Sequence, residues 1–344
     1  MLTVLDHLPP GLLERPASEL HAELGGPTLI HLPGERTPAL FVSVLLHGNE
    51  TTGWEALRQL LAQWDGRPLP RALSVLVGNV EAAREGLRHL DHQPDYNRIW
   101  RGGPWPEAGV AARVLEEMRA RGVWCALDVH NTSGRNPHYA CIHDLEPVTL
   151  ALAARFSHVA ILATTPETVL SRAFEALGPA ITVECGLPGQ PYGVNHARAF
   201  LEECLVATAL PGEGAPDTLL RTAAVVRVPW ETRLGFGDPG AVLDLATDVD
   251  RLNFRDVPAG TVLGTIRAGD SLPLHALDPS GVDVTARHLR RDGDHLVAAT
   301  DLLPAMLTTD VRIVHQDCLC YLMERVPHPA RRAPAANAEM AGGG

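Results

Sequence analysis

From Ala39 to about Ala209, short apolar runs alternate with segments of helical periodicity, and this alternation restricts the fold of the 344-residue chain more than any other feature. The apolar runs fall at 40–46, 72–78, 123–129, 139–142, 158–163 and 180–184. Helix-like segments lie among and after them at 51–64, 106–121, 147–156, 166–177 and 196–209. Strands that alternate with helices build a sheet covered on both faces, and strands apolar at nearly every position fit such burial. The expected class is α/β, with a mostly parallel or mixed sheet, helices on both faces, and a β-rich C-terminal part. In sheets of this kind ligands bind beyond the carboxyl ends of the strands.

The alternation stops at Pro211-Gly212-Glu213-Gly214-Ala215-Pro216, which reads as a linker. After it come short apolar runs at 223–228, 261–266, 295–299, 311–314 and 319–323, separated by Gly, Pro and Asp. They suggest a small sandwich or barrel without a long helix. The division expected is therefore a catalytic α/β domain over 1–212, a β-rich domain over 213–327 that shapes the pocket, and a disordered tail over 328–344. Before the alternation there is a weak helical signal from Pro16 to Leu24, closed by Gly25-Gly26-Pro27.

With 45% hydrophobic and 20% charged residues, the chain has the material for a large core. Its formal net charge of −12 argues against nucleic acid or anionic lipid as the main partner. A small anionic substrate is compatible, because local arginines override the global sign. No run of about 18 apolar residues suggests a membrane span, and the N-terminus shows no secretory signal. The six cysteines are scattered without a CxxC pair, which fits buried thiols in a cytoplasmic protein. A homo-oligomer is compatible with all of this, and nothing in the sequence selects it.

Chemistry concentrates at strand ends. Phe41-Val42-Ser43-Val44-Leu45-Leu46 runs into His47-Gly48-Asn49-Glu50, and a helical pattern follows. An imidazole and a carboxylate three residues apart at such a corner suit zinc with an open position. The alternative is a polar strand end with a helix-capping Glu. Gly48 and Asn49 suggest a turn with positive φ. A third ligand is available in His130, which follows the apolar run Val123 to Leu127. Asp128 is placed to orient its ring, although a histidine bonded to Asp128 for stability alone would read the same. His138, His143 and His196 are rivals, and His143 is the best of them. Glu184 closes Ala180-Ile181-Thr182-Val183, and a carboxylate there is costly unless paired, ligated or catalytic. Asn97 and Arg98, in Asp95-Tyr96-Asn97-Arg98, could present an amide and a guanidinium to a carboxylate, with Arg88 just upstream.

Together, His47-Gly48-Asn49-Glu50, Asp95-Tyr96-Asn97-Arg98, Asp128-Val129-His130-Asn131-Thr132 and Glu184-Cys185-Gly186 resemble the succinylglutamate desuccinylase/aspartoacylase family, which is related to the zinc carboxypeptidases. The four blocks occur in the family's order over about 39–195. The resemblance implies one zinc ion per chain, held by His47, Glu50 and His130. It implies Glu184 as general base, and Asn97 and Arg98 as binders of a substrate carboxylate. It implies Arg88 as the upstream substrate arginine, near the oxyanion, and Arg172 as a further substrate arginine. A pocket contribution from the C-terminal half falls on Tyr321. Tyr96 departs from the family's usual leucine or methionine.

The function expected is zinc-dependent hydrolysis of the amide bond in an N-acyl amino acid or a similar small carboxylated amide. Glu184 takes a proton from the attacking water and returns it to the leaving amine. One alternative is a zinc carboxypeptidase acting on peptides. Another is a non-catalytic small-molecule binding protein on the same fold. The β-rich half favours the smaller substrate, since a domain over the cleft obstructs a polypeptide.

Overall fold

The computed structural model describes residues 1–267 and 272–327; the expected disordered tail, 328–344, lies outside them. In chain order the first nine strands are β1 (Thr3–Leu5), β2 (Thr28–Leu32), β3 (Ala39–Val44), β4 (Leu73–Val77), β5 (Val123–His130), β6 (Tyr139–Ile142), β7 (Val159–Leu162), β8 (Ala180–Glu184) and β9 (Thr218–Arg227). The helices among them are α1 (Leu20–Leu24), α2 (Thr52–Gln63), α3 (Val80–Glu85), α4 (Ala108–Arg121), α5 (Pro147–Phe156), α6 (Leu170–Phe174) and α7 (Pro191–Val206). The nine strands stand in the order β1-β2-β4-β3-β5-β8-β6-β7-β9. Pairing is parallel except at β2–β4 and β6–β8, so the sheet is mixed.

The strand period of two sorts the core into layers. Along β3, Leu40, Val42 and Val44 join Trp54 and Leu57 of α2 and Phe200 of α7 in one cluster. Phe41 points the other way, into a cluster with Met118 of α4 and Phe174 of α6, and stacks on Phe174 with ring centroids 4.2 Å apart. The central strands are buried on both faces, which is why their sequences are continuous apolar runs. Helix α6 is shorter than the expected 166–177, and α7 starts earlier than expected, at Pro191, where a proline's fixed φ suits the first helical turn.

The C-terminal strands are β10 (Leu234–Phe236), β11 (Leu243–Leu245), β12 (Val262–Ile266), β13 (His275–Leu277), β14 (Leu289–Asp292), β15 (His295–Ala298), β16 (Pro304–Ala305) and β17 (Cys320–Arg325). Five of them form a second sheet, β10-β11-β12-β15-β14. The other three extend the main sheet to 12 strands: β17 and β13 pair with β9, and β16 pairs with β17. The main sheet therefore runs across the boundary expected near residue 212. One apolar cluster joins Leu243, Leu245 and Leu296 of the second sheet to Val226 of β9 and Leu322 of β17, so the second sheet packs on the end of the first.

Two short helices lie in this half, α8 (Thr285–His288) and α9 (Val311–Gln316). Helix α9 corrects the strand expected at 311–314. The Asp310 carboxylate accepts the N–H groups of Arg312 and Ile313, an N-cap that outweighs the β preference of Val311, Ile313 and Val314. Among the described residues the cysteines form no disulfide, and no helix is long and apolar enough to cross a membrane.

Candidate metal centre and substrate cavity

Strands β3, β5 and β8 are parallel neighbours, with Ser43 opposite Asp128 and His130 opposite Glu184. Their carboxyl ends thus lie along one edge, where ligand sites of such sheets form. After β3 the chain bends at Leu45, with φ 58°. The left-handed residue is Leu45, not Gly48 or Asn49 as the sequence suggested. Gly48 is needed for a different reason. A Cβ there would stand 2.2 Å from the Ala83 nitrogen, so this turn lies against the backbone of α3. Gly48 also donates its N–H to the Arg88 carbonyl at 3.0 Å, and Glu50 to the His47 carbonyl at 3.1 Å. Asn131 secures the other side: its Oδ1 accepts the Thr52 N–H at 3.1 Å, capping α2 from the neighbouring strand.

This framework brings His47, Glu50 and His130 together. All three are buried, and one ligand atom from each lies within 4.8 Å of the others. The Nδ1 atoms face the two oxygens of Glu50: His47 Nδ1 lies 2.8 Å from Oε1, and His130 Nδ1 lies 2.7 Å from Oε2. Each ring's other nitrogen meets an aspartate, His47 Nε2 at 3.0 Å from Asp95 and His130 Nε2 at 2.9 Å from Asp128. A carboxylate behind each imidazole fixes the tautomer that leaves Nδ1 as donor to a metal. Asp128 is itself held by the Ser43 hydroxyl and the Asn97 amide. Two nitrogens and a carboxylate, each ring backed by its own acid, fit a borderline divalent cation such as zinc.

Burial alone would raise the Glu50 carboxyl, but the two imidazoles outweigh it and hold the group ionised. Asp95 is likewise kept well below the usual carboxylate range, chiefly by Arg88. Glu184 behaves differently. Burial pushes it up to about 8, with help from the Glu50 charge, and its buried Oε2 has no hydrogen-bond partner.

The triad opens on a cavity of about 180 Å³, also lined by Glu184, Asn97, Arg98, Arg88 and Tyr321. Arg88 donates to Asp95 at 2.8 Å and lies 3.7 Å from Glu50. Arg172 does not line the cavity; it donates to Glu175, three residues on in the chain, at 2.6 Å. Of the rival histidines, His143 reaches the wall, with its two nitrogens at hydrogen-bond distance from Ala163 O and Ser171 Oγ. His138 and His196 stack on each other away from the cavity, centroids 4.3 Å apart. Sequence reasoning missed Asp95 as the partner of His47, although it sits inside a quoted block. It also missed Asp317, which lines the cavity from the end of α9 and has no local pattern to mark it.

Fold and site together define an α/β protein with a candidate divalent-metal centre at the carboxyl ends of its central strands. Residues 36–205 match the succinylglutamate desuccinylase/aspartoacylase catalytic domain. A succinylglutamate desuccinylase of Serratia proteamaculans (strain 568) is 29% identical over 254 residues, covering 67% of this chain and 75% of that one. The X-ray structure of a succinylglutamate desuccinylase from Vibrio parahaemolyticus superimposes with a TM-score of 0.59 at 16% identity, covering 87% of this chain and 86% of that one. Murine aminoacylase 3 does so with a TM-score of 0.53 at 16% identity, covering 85% and 97%. At these identities the structural likeness carries the fold. The match over 36–205 supports a deacylase activity.

Proposed function

We propose that the chain is a zinc-dependent hydrolase that cleaves the amide bond of a small N-acyl amino acid or a similar carboxylated amide. The observation that carries this reading is the meeting, in one cavity, of the His47, Glu50 and His130 triad with a buried Glu184 oxygen that has no partner. A buried carboxylate left unpaired is costly, and a proton-transfer role accounts for it.

His47, Glu50 and His130 would hold the metal. Zinc in such a site acidifies water and polarises a carbonyl. Glu184 Oε2 accepts the proton of the attacking water and then delivers it to the leaving amine nitrogen. Arg98 lines the cavity and supplies donors for the substrate carboxylate, which fixes the scissile bond against the triad; Asn97 lies beside it, its amide also holding Asp128. Arg88 adds positive charge beside Glu50, where negative charge develops in the transition state. The C-terminal half lines the same cavity through Thr308, Ile313, Asp317 and Tyr321, and this cover favours small amides over polypeptides.

The test is a panel of N-acyl amino acids with the zinc-loaded protein, before and after chelator dialysis. Hydrolysis that is lost on chelation and restored by zinc is the expected result. No turnover of any member by protein with bound zinc would overturn the reading.

A further inference from the structure

The cationic end of the cavity is already neutralised by the protein itself. Arg88 is held by Asp95 at 2.8 Å, and Asp317 stands 3.7 Å from Arg88 and 3.5 Å from Arg98. Two guanidinium groups therefore meet two aspartates before any substrate arrives. Arg98 spends a further donor on the Asn97 carbonyl at 2.9 Å. Asp317 is about one-fifth exposed, so its charge is only partly screened by water.

Among the described residues, the rest of the cavity lining offers no replacement cation. That lining includes Cys141, Ile161, Ala163 and Val169, with the neutral Thr165 and Thr182 and the ring of His143. Burial lowers the pKa of that imidazole, and its two nitrogens already lie at hydrogen-bond distance from Ala163 O and Ser171 Oγ. All 29 basic residues of the chain are arginines, so no lysine can reach in from elsewhere. Among the described residues, Arg88 and Arg98 are the only arginines that line the cavity.

We propose that this site selects N-acyl amino acids with one carboxylate and an otherwise uncharged acyl group and side chain, and that Asp317 is the residue that rejects a second carboxylate. This rests on the amidohydrolase reading above and narrows it. One carboxylate can share Arg98 and Asn97. A second meets either Asp317, a like charge, or lining without a cation to offset its desolvation. The reactive centre is the same for all such amides; what differs is the charge carried beside it.

The experiment compares N-acetyl derivatives of neutral amino acids with N-acetylaspartate and N-succinylglutamate. Binding is read by calorimetry on the zinc-loaded Glu184→Gln protein, which would hold substrate without turning it over, and kcat/KM is read on the unsubstituted protein. The expected result is at least about tenfold tighter binding of the monocarboxylates, about 1.4 kcal/mol. Asp317→Asn should shrink that gap by improving the dicarboxylates, and a thermal melt of the variant checks that it is folded. Tighter binding of the dicarboxylates by the unsubstituted site overturns the proposal while leaving the hydrolase reading intact. If Arg172→Ala then abolishes that preference, the second receptor is Arg172. An unchanged gap in folded Asp317→Asn removes Asp317 from the role. Failure of every N-acyl amino acid to bind sinks the hydrolase reading as well.

Discussion

His47 is buried and pairs with the partly buried Asp95: Nε2 of the ring lies 3.0 Å from the carboxylate while Nδ1 turns to Glu50 at 2.8 Å. Asp95 thereby determines which nitrogen His47 offers inward, and Asp128 does the same for His130 at 2.9 Å. Acids placed behind metal-bound imidazoles are worth about 10- to 100-fold in metal affinity. Asp95→Asn should weaken zinc binding by that factor, measured by competition with a chromophoric chelator. Asp128→Asn should do likewise. Because Asp95 also holds Arg88 and Asp128 does not, a turnover defect in Asp95→Asn that survives saturating zinc reports on Arg88 instead of the metal.

Glu184 separates metal binding from proton transfer. It lines the cavity but stands outside the triad, and its Oε2 is unpartnered. Glu184→Gln keeps size and shape and removes the basic oxygen. Turnover should fall by about 100- to 10,000-fold, with zinc stoichiometry unchanged by metal analysis. Loss of the zinc together with the activity would assign Glu184 to the ligand set.

The parts of this site that could be read in advance were those written locally. His47 and Glu50 share one turn, while His130 and Glu184 each close a strand whose apolar run predicts both its position and its burial. A parallel α/β sheet then brings such ends to one edge without further information. Asp95 was harder, because it sits in a loop and its partner is 48 residues away. Asp317 was out of reach, since it arrives at the cavity through β17, which pairs with β9 of the main sheet. That long-range pairing also carries the sheet past the linker at residue 212. A composition break marks a change in strand length and turn density, and hydrogen bonding across it leaves no local trace. The apolar run at 311–314 reads with the β-rich half, and the Asp310 cap that makes it helical lies just outside that run.

Arg98 and Arg172 make a paired test of the substrate-binding assignment. Arg98 faces the cavity beside Asn97, whereas Arg172 is closed on Glu175. A charge-assisted hydrogen bond is worth about 1.5–3 kcal/mol, or roughly 10- to 150-fold in an equilibrium constant. Arg98→Ala should raise KM for an N-acyl amino acid by a factor in that range. Arg172→Ala should change KM less than about twofold, since breaking a partly exposed i,i+3 pair costs only about 0.5 kcal/mol. The reverse ranking in steady-state kinetics would place the carboxylate at Arg172.

Gly48 joins the fold to the site, and the same substitution elsewhere supplies its control. A Cβ on Gly48 would lie 2.2 Å from the Ala83 nitrogen and 2.3 Å from the Ala82 carbonyl carbon, both backbone atoms that cannot rotate away. Relief requires the turn between His47 and Glu50 to move off α3, and overpacking of this kind costs about 1–3 kcal/mol. In Gly109→Ala, on α4, the new methyl meets nothing within 4 Å. Helix propensity and reduced freedom of the unfolded chain then favour alanine by about 0.4–1 kcal/mol. Urea unfolding should therefore move in opposite directions for the two variants. Only Gly48→Ala should also lose zinc affinity, because two of the three ligands flank the displaced turn. A Gly48→Ala protein as stable and as tight for zinc as the parent would show that the contact with α3 does not hold the triad in place.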